Sequence, residues 1–326
     1  MSTKKQSNRL SMSKRGISSY LLNRPLTISF EVTYSCNARC KHCHLGGSIK
    51  NEKRAKPEEF AKLCYLYKPV VAQVSGGEPL LRRDLEKIIK ALVVQGKAPF
   101  VVVTTNAALL KKSRYLSLRN AGVNEFSVSL DYPDERHDEF RNIPGLFKKI
   151  ETLIQEIKDE PRKGITLSCV VQSKNFRDLP KITQLAIDWG VKINFSTYTW
   201  LRTNNKEYMI SKKDLPEFKE ITNKLLELRR VHRNVFASEY IFNRMANFYR
   251  DEGIPNCRAG NRFFIINPDA TLSPCGLIKG DYKTLKELRQ DFIPKNKCTS
   301  CNTSIRANCE KPALYQIRDN LSVLFA

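Results

Sequence analysis

From Leu26 onward, short β-branched apolar runs alternate with stretches in which apolar residues recur at helical spacing. The runs at Thr27–Thr33, Val70–Ser75, Phe100–Thr105, Glu125–Leu130, Ile165–Val171 and Lys192–Ser196 predict strands, and their Val, Ile and Phe content suits strands covered on both faces. Between them, Pro57–Tyr67, Arg82–Gln95, Leu109–Asn120, Pro144–Lys158 and Leu179–Trp189 predict helices, with Leu85, Ile88, Ile89 and Leu92 showing the period. Such alternation predicts an α/β fold with a parallel sheet. Six units rather than eight predict an open, partial (β/α)6 barrel of the TIM type.

After Thr197 the pattern changes. Leu215–Val231 and Glu239–Arg250 predict two helices, and from Cys257 the chain is rich in turns and cysteines. There, two short apolar runs flank Asn267-Pro268-Asp269-Ala270, which predicts a hairpin with Cys257 and Cys275 on its two sides. The expected organisation is a basic, weakly ordered segment over 1–24, a barrel over 25–200, a helical linker over 201–256 and a small cysteine-rich domain over 257–326.

With 41% hydrophobic residues, 326 residues suffice for one large α/β domain and an appendage. No apolar run approaches the ~18 residues of a membrane span. The N-terminus is basic and polar without the apolar stretch of a secretory signal, so a cytoplasmic protein is expected. The formal charge of +23 is spread along the chain, which argues against a dedicated nucleic-acid arm. An anionic substrate, an anionic membrane surface and an ordinary solvated surface stay open as explanations.

Ten cysteines in such a chain point to metal or redox chemistry rather than disulfides. Cys36, Cys40 and Cys43 share the loop after the first strand, with no fourth cysteine at a matching interval. Three thiolates suit a cubane iron–sulfur cluster in which one iron lacks a protein ligand. Zinc with His42 or His44 as fourth ligand is the alternative. Cys298 and Cys301 form a CxxC pair beyond a small helix, and with Cys257 and Cys275 they could complete a four-cysteine site. Cys309 is a fifth candidate, and a zinc ribbon is the alternative here. Cys64 and Cys169, inside an apolar helix and a strand, read as small buried hydrophobes.

The CxxxCxxC loop, with His42 before its last cysteine, resembles the signature of the radical S-adenosylmethionine superfamily. So do Ser75-Gly76-Gly77-Glu78-Pro79, Thr104-Thr105-Asn106, Ser129-Leu130-Asp131 and the HDEFRN segment from His137, in that order across residues 26 to 196. The resemblance implies a [4Fe–4S] cluster on Cys36, Cys40 and Cys43. It also implies S-adenosylmethionine bound near Gly76, Gly77, Glu78, Asn106, Ser129 and Asp131, and reductive cleavage to a 5′-deoxyadenosyl radical that abstracts hydrogen from a substrate carbon. The cysteines from Cys257 to Cys309 resemble the SPASM extension or its shortened Twitch form, which implies one auxiliary [4Fe–4S] cluster. A flavodoxin- or ferredoxin-type reductant is implied, with a peptide or small-molecule substrate. The rival reading is a zinc-stabilised nucleic-acid- or protein-binding module.

Overall fold

The computed structural model describes residues 12–299 apart from residues 20, 23, 162, 256 and 262. Six parallel strands come first: β1 (Thr27–Thr33), β2 (Val71–Gly76), β3 (Phe100–Thr105), β4 (Glu125–Ser129), β5 (Ile165–Val171) and β6 (Lys192–Thr197). Each pairs with its predecessor in sequence, giving the order β6-β5-β4-β3-β2-β1. β6 does not return to β1, so the sheet curls without closing and forms a partial barrel.

Helices α1 (Pro57–Tyr67), α2 (Leu85–Val94), α3 (Lys112–Ala121), α4 (Arg136–Arg141), α5 (Leu146–Glu156) and α6 (Leu179–Asp188) occupy the crossovers. The expected strands and helices are present, with small shifts at their ends. α2 starts three residues later than its apolar period suggests, because Pro79–Leu81 forms a 3-10 turn and Arg82 is held elsewhere. The Arg82 guanidinium donates to the carbonyls of Val32 (2.8 Å) and Ala55 (3.1 Å) and pairs with Asp84, tying the crossover back to β1.

The strands are not apolar on both faces. Ile28, Phe30, Val32, Ala72, Val74, Val101, Val103, Phe126 and Val128 point towards the helices and are fully buried. The larger of these side chains each contribute roughly 1.5–3 kcal/mol. The alternate positions carry Ser29, Glu31, Gln73, Ser75, Thr104 and Ser127. Ser29 Oγ lies 2.8 Å from Ser75 Oγ, and Gln73 Nε2 donates to Thr104 Oγ1 at 3.0 Å. Read as linear sequence, the apolar half of each strand masks this polar inner face; a partly open barrel leaves its lumen wet, and period-two alternation follows.

α7 (Leu215–His232) and α8 (Glu239–Asp251) follow β6, with Phe218, Ile221, Leu225, Phe242, Met245 and Phe248 buried. The hairpin forms as predicted, from β7 (Phe263–Ile266) and β8 (Leu272–Ser273), its turn completed by Ala270 in the left-handed region at φ 67°. Its docking site carries no signal in the sequence. β7 pairs in parallel with β1, Thr27 opposite Phe263 and Phe30 opposite Ile266, and so extends the barrel sheet to eight strands. α9 (Leu285–Asp291) follows.

Residues 12–19, expected to be weakly ordered, are helical. Met12 packs on Val70 and Phe100, and Arg15 Nη1 donates to the Pro69 carbonyl at 3.2 Å, at the N-terminal ends of β2 and β3. Among the described residues, no helix is long and apolar enough to cross a membrane.

Candidate functional site

The loop after β1 is pinned at both ends. Cys36 and Gly47 exchange two backbone hydrogen bonds of 2.9 Å, and Gly47 adopts φ 80°, which favours glycine. Glu52 fixes the loop entrance by accepting from Thr33 Oγ1 (2.6 Å) and from the Tyr34 amide (2.5 Å). Ser35 Oγ accepts from the Ile49 amide at 2.9 Å.

Cys36, Cys40 and Cys43 are all half-buried on this closed loop. Loop amides donate to two of the sulfurs, Ala38 to Cys36 and Leu45 to Cys43, each at 3.5 Å. Two arginines approach from other segments, one at the end of α4 and one in the turn after β6: Arg141 Nη1 stands 3.9 Å from Cys40 Sγ, and Arg202 Nη1 3.7 Å from Cys43 Sγ. Burial pushes the Cys36 thiol up to about 11 and raises that of Cys40, which Arg141 opposes. Ligation therefore has to release protons here.

Three thiols share this one loop, and a cubane takes one thiolate on each of three irons, so the donor set fits a cluster. His42 is half-buried and stacked on Phe140, ring centroids 5.0 Å apart, and desolvation followed by the charge of Arg141 lowers it to about 3.

The other motif residues gather around this loop at the C-terminal ends of the strands. The Gly77 amide donates to the Thr33 carbonyl (2.7 Å) and that of Glu78 to Ser35 (2.9 Å). A Cβ on Gly76 or Gly77 would collide with the carbonyl oxygens of Thr33 or Ser35, so both glycines are needed for backbone to lie against backbone. The Glu78 side chain turns towards β3. Its Oε1 accepts from Thr105 Oγ1 (2.7 Å) and the Leu80 amide (3.1 Å), and its Oε2 from the Asn106 amide (2.8 Å). Burial nevertheless pushes its carboxyl up to about 7.

Asn106 ends β3, and its Nδ2 donates to Asn37 Oδ1 of the cysteine loop. Ser129, at the end of β4, is almost fully buried opposite Ser168. Asp131 is 0% exposed, with Oδ2 held by Arg141 Nε (2.7 Å) and Nη2 (2.6 Å), and Oδ1 by the Val170 amide (2.9 Å). Its carboxylate is thus engaged by Arg141 and by the β5 backbone. His137 pairs locally, its Nδ1 accepting from the Asp131 amide at 3.1 Å. Cys64 and Cys169 are fully buried, as expected.

In the C-terminal region, Cys257 and Cys298 line one open recess of about 410 Å³ together with Arg258, Asn296, Lys297 and Thr299. Asn296 Nδ2 bridges to the Cys257 carbonyl at 3.2 Å. Cys275 is not among those lining residues. Its sulfur accepts from the Ile278 amide at 3.3 Å, in a loop whose Gly276 adjoins Arg202 and Glu31. Cys301 and Cys309 lie outside the described residues.

Three residues at this site escape a reading of the sequence. Arg141 lies in a segment marked only by its resemblance, and Arg202 sits in an irregular turn that carries no signal. Glu31 could have been found, as a lone carboxylate inside an apolar strand. Burial raises its pKa, opposed by Arg202, Tyr34 and Lys279.

The sequence model of the Radical SAM superfamily matches residues 30–186. A probable GTP 3′,8-cyclase of Methanocaldococcus jannaschii is 31% identical over 62% of this chain and 68% of its own length. An AdoMet-dependent heme synthase of Methanosarcina barkeri is 25% identical over 92% of this chain and 95% of its own. In fold, the chain is similar to Streptococcus suis SuiB bound to the precursor peptide SuiA, with a TM-score of 0.63 and 17% identity over 87% of this chain and 70% of that one.

The chain belongs to the radical SAM superfamily. It is accordingly an enzyme whose cofactors are a [4Fe–4S] cluster and S-adenosylmethionine, and whose chemistry is radical cleavage of that cosubstrate.

Proposed function

We propose that Cys36, Cys40 and Cys43 hold the cluster, and that Gly76, Gly77, Glu78, Asn106, Ser129 and Asp131 build the wall against which S-adenosylmethionine lies. A cluster held there would supply the electron for reductive cleavage of the sulfonium, and a 5′-deoxyadenosyl radical so formed would take a hydrogen atom from a substrate carbon. The chain's own residues bind and orient. Glu78 and Asn106 lock the ends of β2 and β3 to the cysteine loop, and the Asp131–Arg141 pair locks the end of β4 to it.

The region 257–326 is read as a SPASM/Twitch-type domain holding a second, auxiliary [4Fe–4S] cluster. Cys257 and Cys298 on one recess support this, with Cys275, Cys301 and Cys309 as the further candidate ligands. For the substrate, the likeness to a heme synthase over nearly the whole of both chains, together with the +23 charge, favours a small anionic precursor of a cofactor. A flavodoxin- or ferredoxin-type protein is the electron donor.

The observation that carries this reading is three half-buried thiols on one closed loop at the C-terminal rim of a parallel barrel. The test is anaerobic reconstitution with iron and sulfide, followed by measurement of 5′-deoxyadenosine after addition of S-adenosylmethionine and a strong reductant. Release of the nucleoside supports the assignment. A colourless protein that takes up zinc in place of iron would instead establish the binding-module reading.

A further inference from the structure

Two guanidinium groups reach the cysteine loop from different parts of the chain, each beside a carboxyl group. Arg141, at the end of α4, spends Nε and Nη2 on Asp131, which is itself tied to β5 through the Val170 amide. Only Nη1 is left to face Cys40. Its charge is thus fixed in place and largely balanced by a buried carboxylate. Burial alone would raise the Asp131 carboxyl, yet Arg141 holds it below the ordinary range. Arg202, in the turn Trp200–Arg202 after β6, is half-buried, directs Nη1 at Cys43 Sγ and has the Glu31 carboxyl as its charged neighbour.

Reduction adds one negative charge to a cluster whose thiolates already carry negative charge. Hydrogen-bond donors and positive charge beside the sulfurs stabilise that extra electron and raise the reduction potential. The effect persists where water is partly excluded and the local dielectric is low.

We propose that Arg141 and Arg202 are positioning residues that set the potential of the cluster, Arg202 raising it through Cys43 and Arg141 through Cys40, with Asp131 as the counter-charge that limits the second effect. This rests on Cys36, Cys40 and Cys43 being the cluster ligands. The step is a one-electron transfer in which the flavodoxin- or ferredoxin-type donor loses the electron that the cluster gains.

The experiment is a redox titration of the anaerobically reconstituted full-length protein, followed by electron paramagnetic resonance without S-adenosylmethionine. The signal that changes when the cosubstrate is added afterwards identifies the cluster in question. In Arg202→Gln, the ratio of reduced to oxidised cluster at a fixed potential falls about tenfold, equivalent to about 59 mV for a one-electron couple. Arg202→Lys keeps the charge and recovers most of this. Asp131→Asn moves the potential the opposite way, upwards, which a loss of structure alone would not do. If Asp131→Asn fails to load iron, Arg202→Gln carries the test alone. An unchanged potential in Arg202→Gln at wild-type iron content overturns the proposal. Failure of the ligand assignment looks different, since the wild-type protein itself would then show no signal that responds to S-adenosylmethionine.

Discussion

The side chains of Asn106 and Asn37 meet in a hydrogen bond of 2.8 Å, which joins the end of β3 to the cysteine loop across 69 residues of chain. Asn106 also presents its amide to Glu78 and its Oδ1 to the Ala108 amide, so one residue fixes three segments of the barrel rim. Asn106→Ala is expected to lower stability by about 1–2 kcal/mol, since it leaves Asn37 and the Ala108 amide with a partner each to replace. Iron retention should fall further than stability does. Chemical denaturation and iron content after gel filtration measure the two separately, and equal losses would mean that the bond matters only for folding.

Gly77→Ala should cost more than about 3 kcal/mol or prevent folding, because the new methyl group would meet backbone oxygen rather than a movable side chain. Gly145→Ala provides the contrast. Its φ of 70° strains any side chain, but the space around it is open, so a loss of about 1 kcal/mol is expected. Urea unfolding of the two variants checks the difference.

Buried titratable groups give the cluster-free protein a pH profile with two opposed arms. The Glu78 carboxyl rises from 4.5 unfolded to about 7 folded, so its proton is bound more tightly in the fold and stability falls as pH climbs through that window. His42 and His137 fall from 6.5 to about 3 and about 4, so their neutral forms are favoured in the fold and stability is lost as pH drops below 6.5. Glu78→Gln should remove the first arm and leave the second. Melting temperature measured from pH 4 to pH 8 would show it, and a decline towards neutral pH that survives in Glu78→Gln would contradict this account.

Cys40→Ser is expected to abolish formation of 5′-deoxyadenosine. Cys275→Ser should lower bound iron by about four atoms, one cubane's complement, while leaving the signal that responds to S-adenosylmethionine in place. Iron determination and electron paramagnetic resonance on the two variants decide this. Loss of both signals on changing Cys275 would mean that the two sites are not separable.

Much of the barrel is readable because its strands and helices carry strong local periods. Leu85, Ile88, Ile89 and Leu92 all lie at zero exposure, where the helical pattern puts them. The cysteine loop is readable because ligand chemistry fixes residue type and spacing. What escapes depends on residues far apart in sequence. Nothing local marks Arg202 as a neighbour of Cys43, or tells that Phe263–Ile266 will dock on β1 rather than found a sheet of its own. The polar lumen is hidden for another reason. Val101, Val102 and Val103 follow one another along β3, and only the neighbouring strands reveal which face of each is turned inward.

The parallel pairing of β7 with β1 bears on the order of events in the cell. The strand that leads into the cysteine loop is synthesised first, yet its second edge stays uncovered until Ile266 has left the ribosome. Until then the nascent chain carries an open strand edge beside reduced thiols. A chain truncated ahead of the hairpin would lack the strand that covers this edge of β1 and would present its thiols on an unfinished rim.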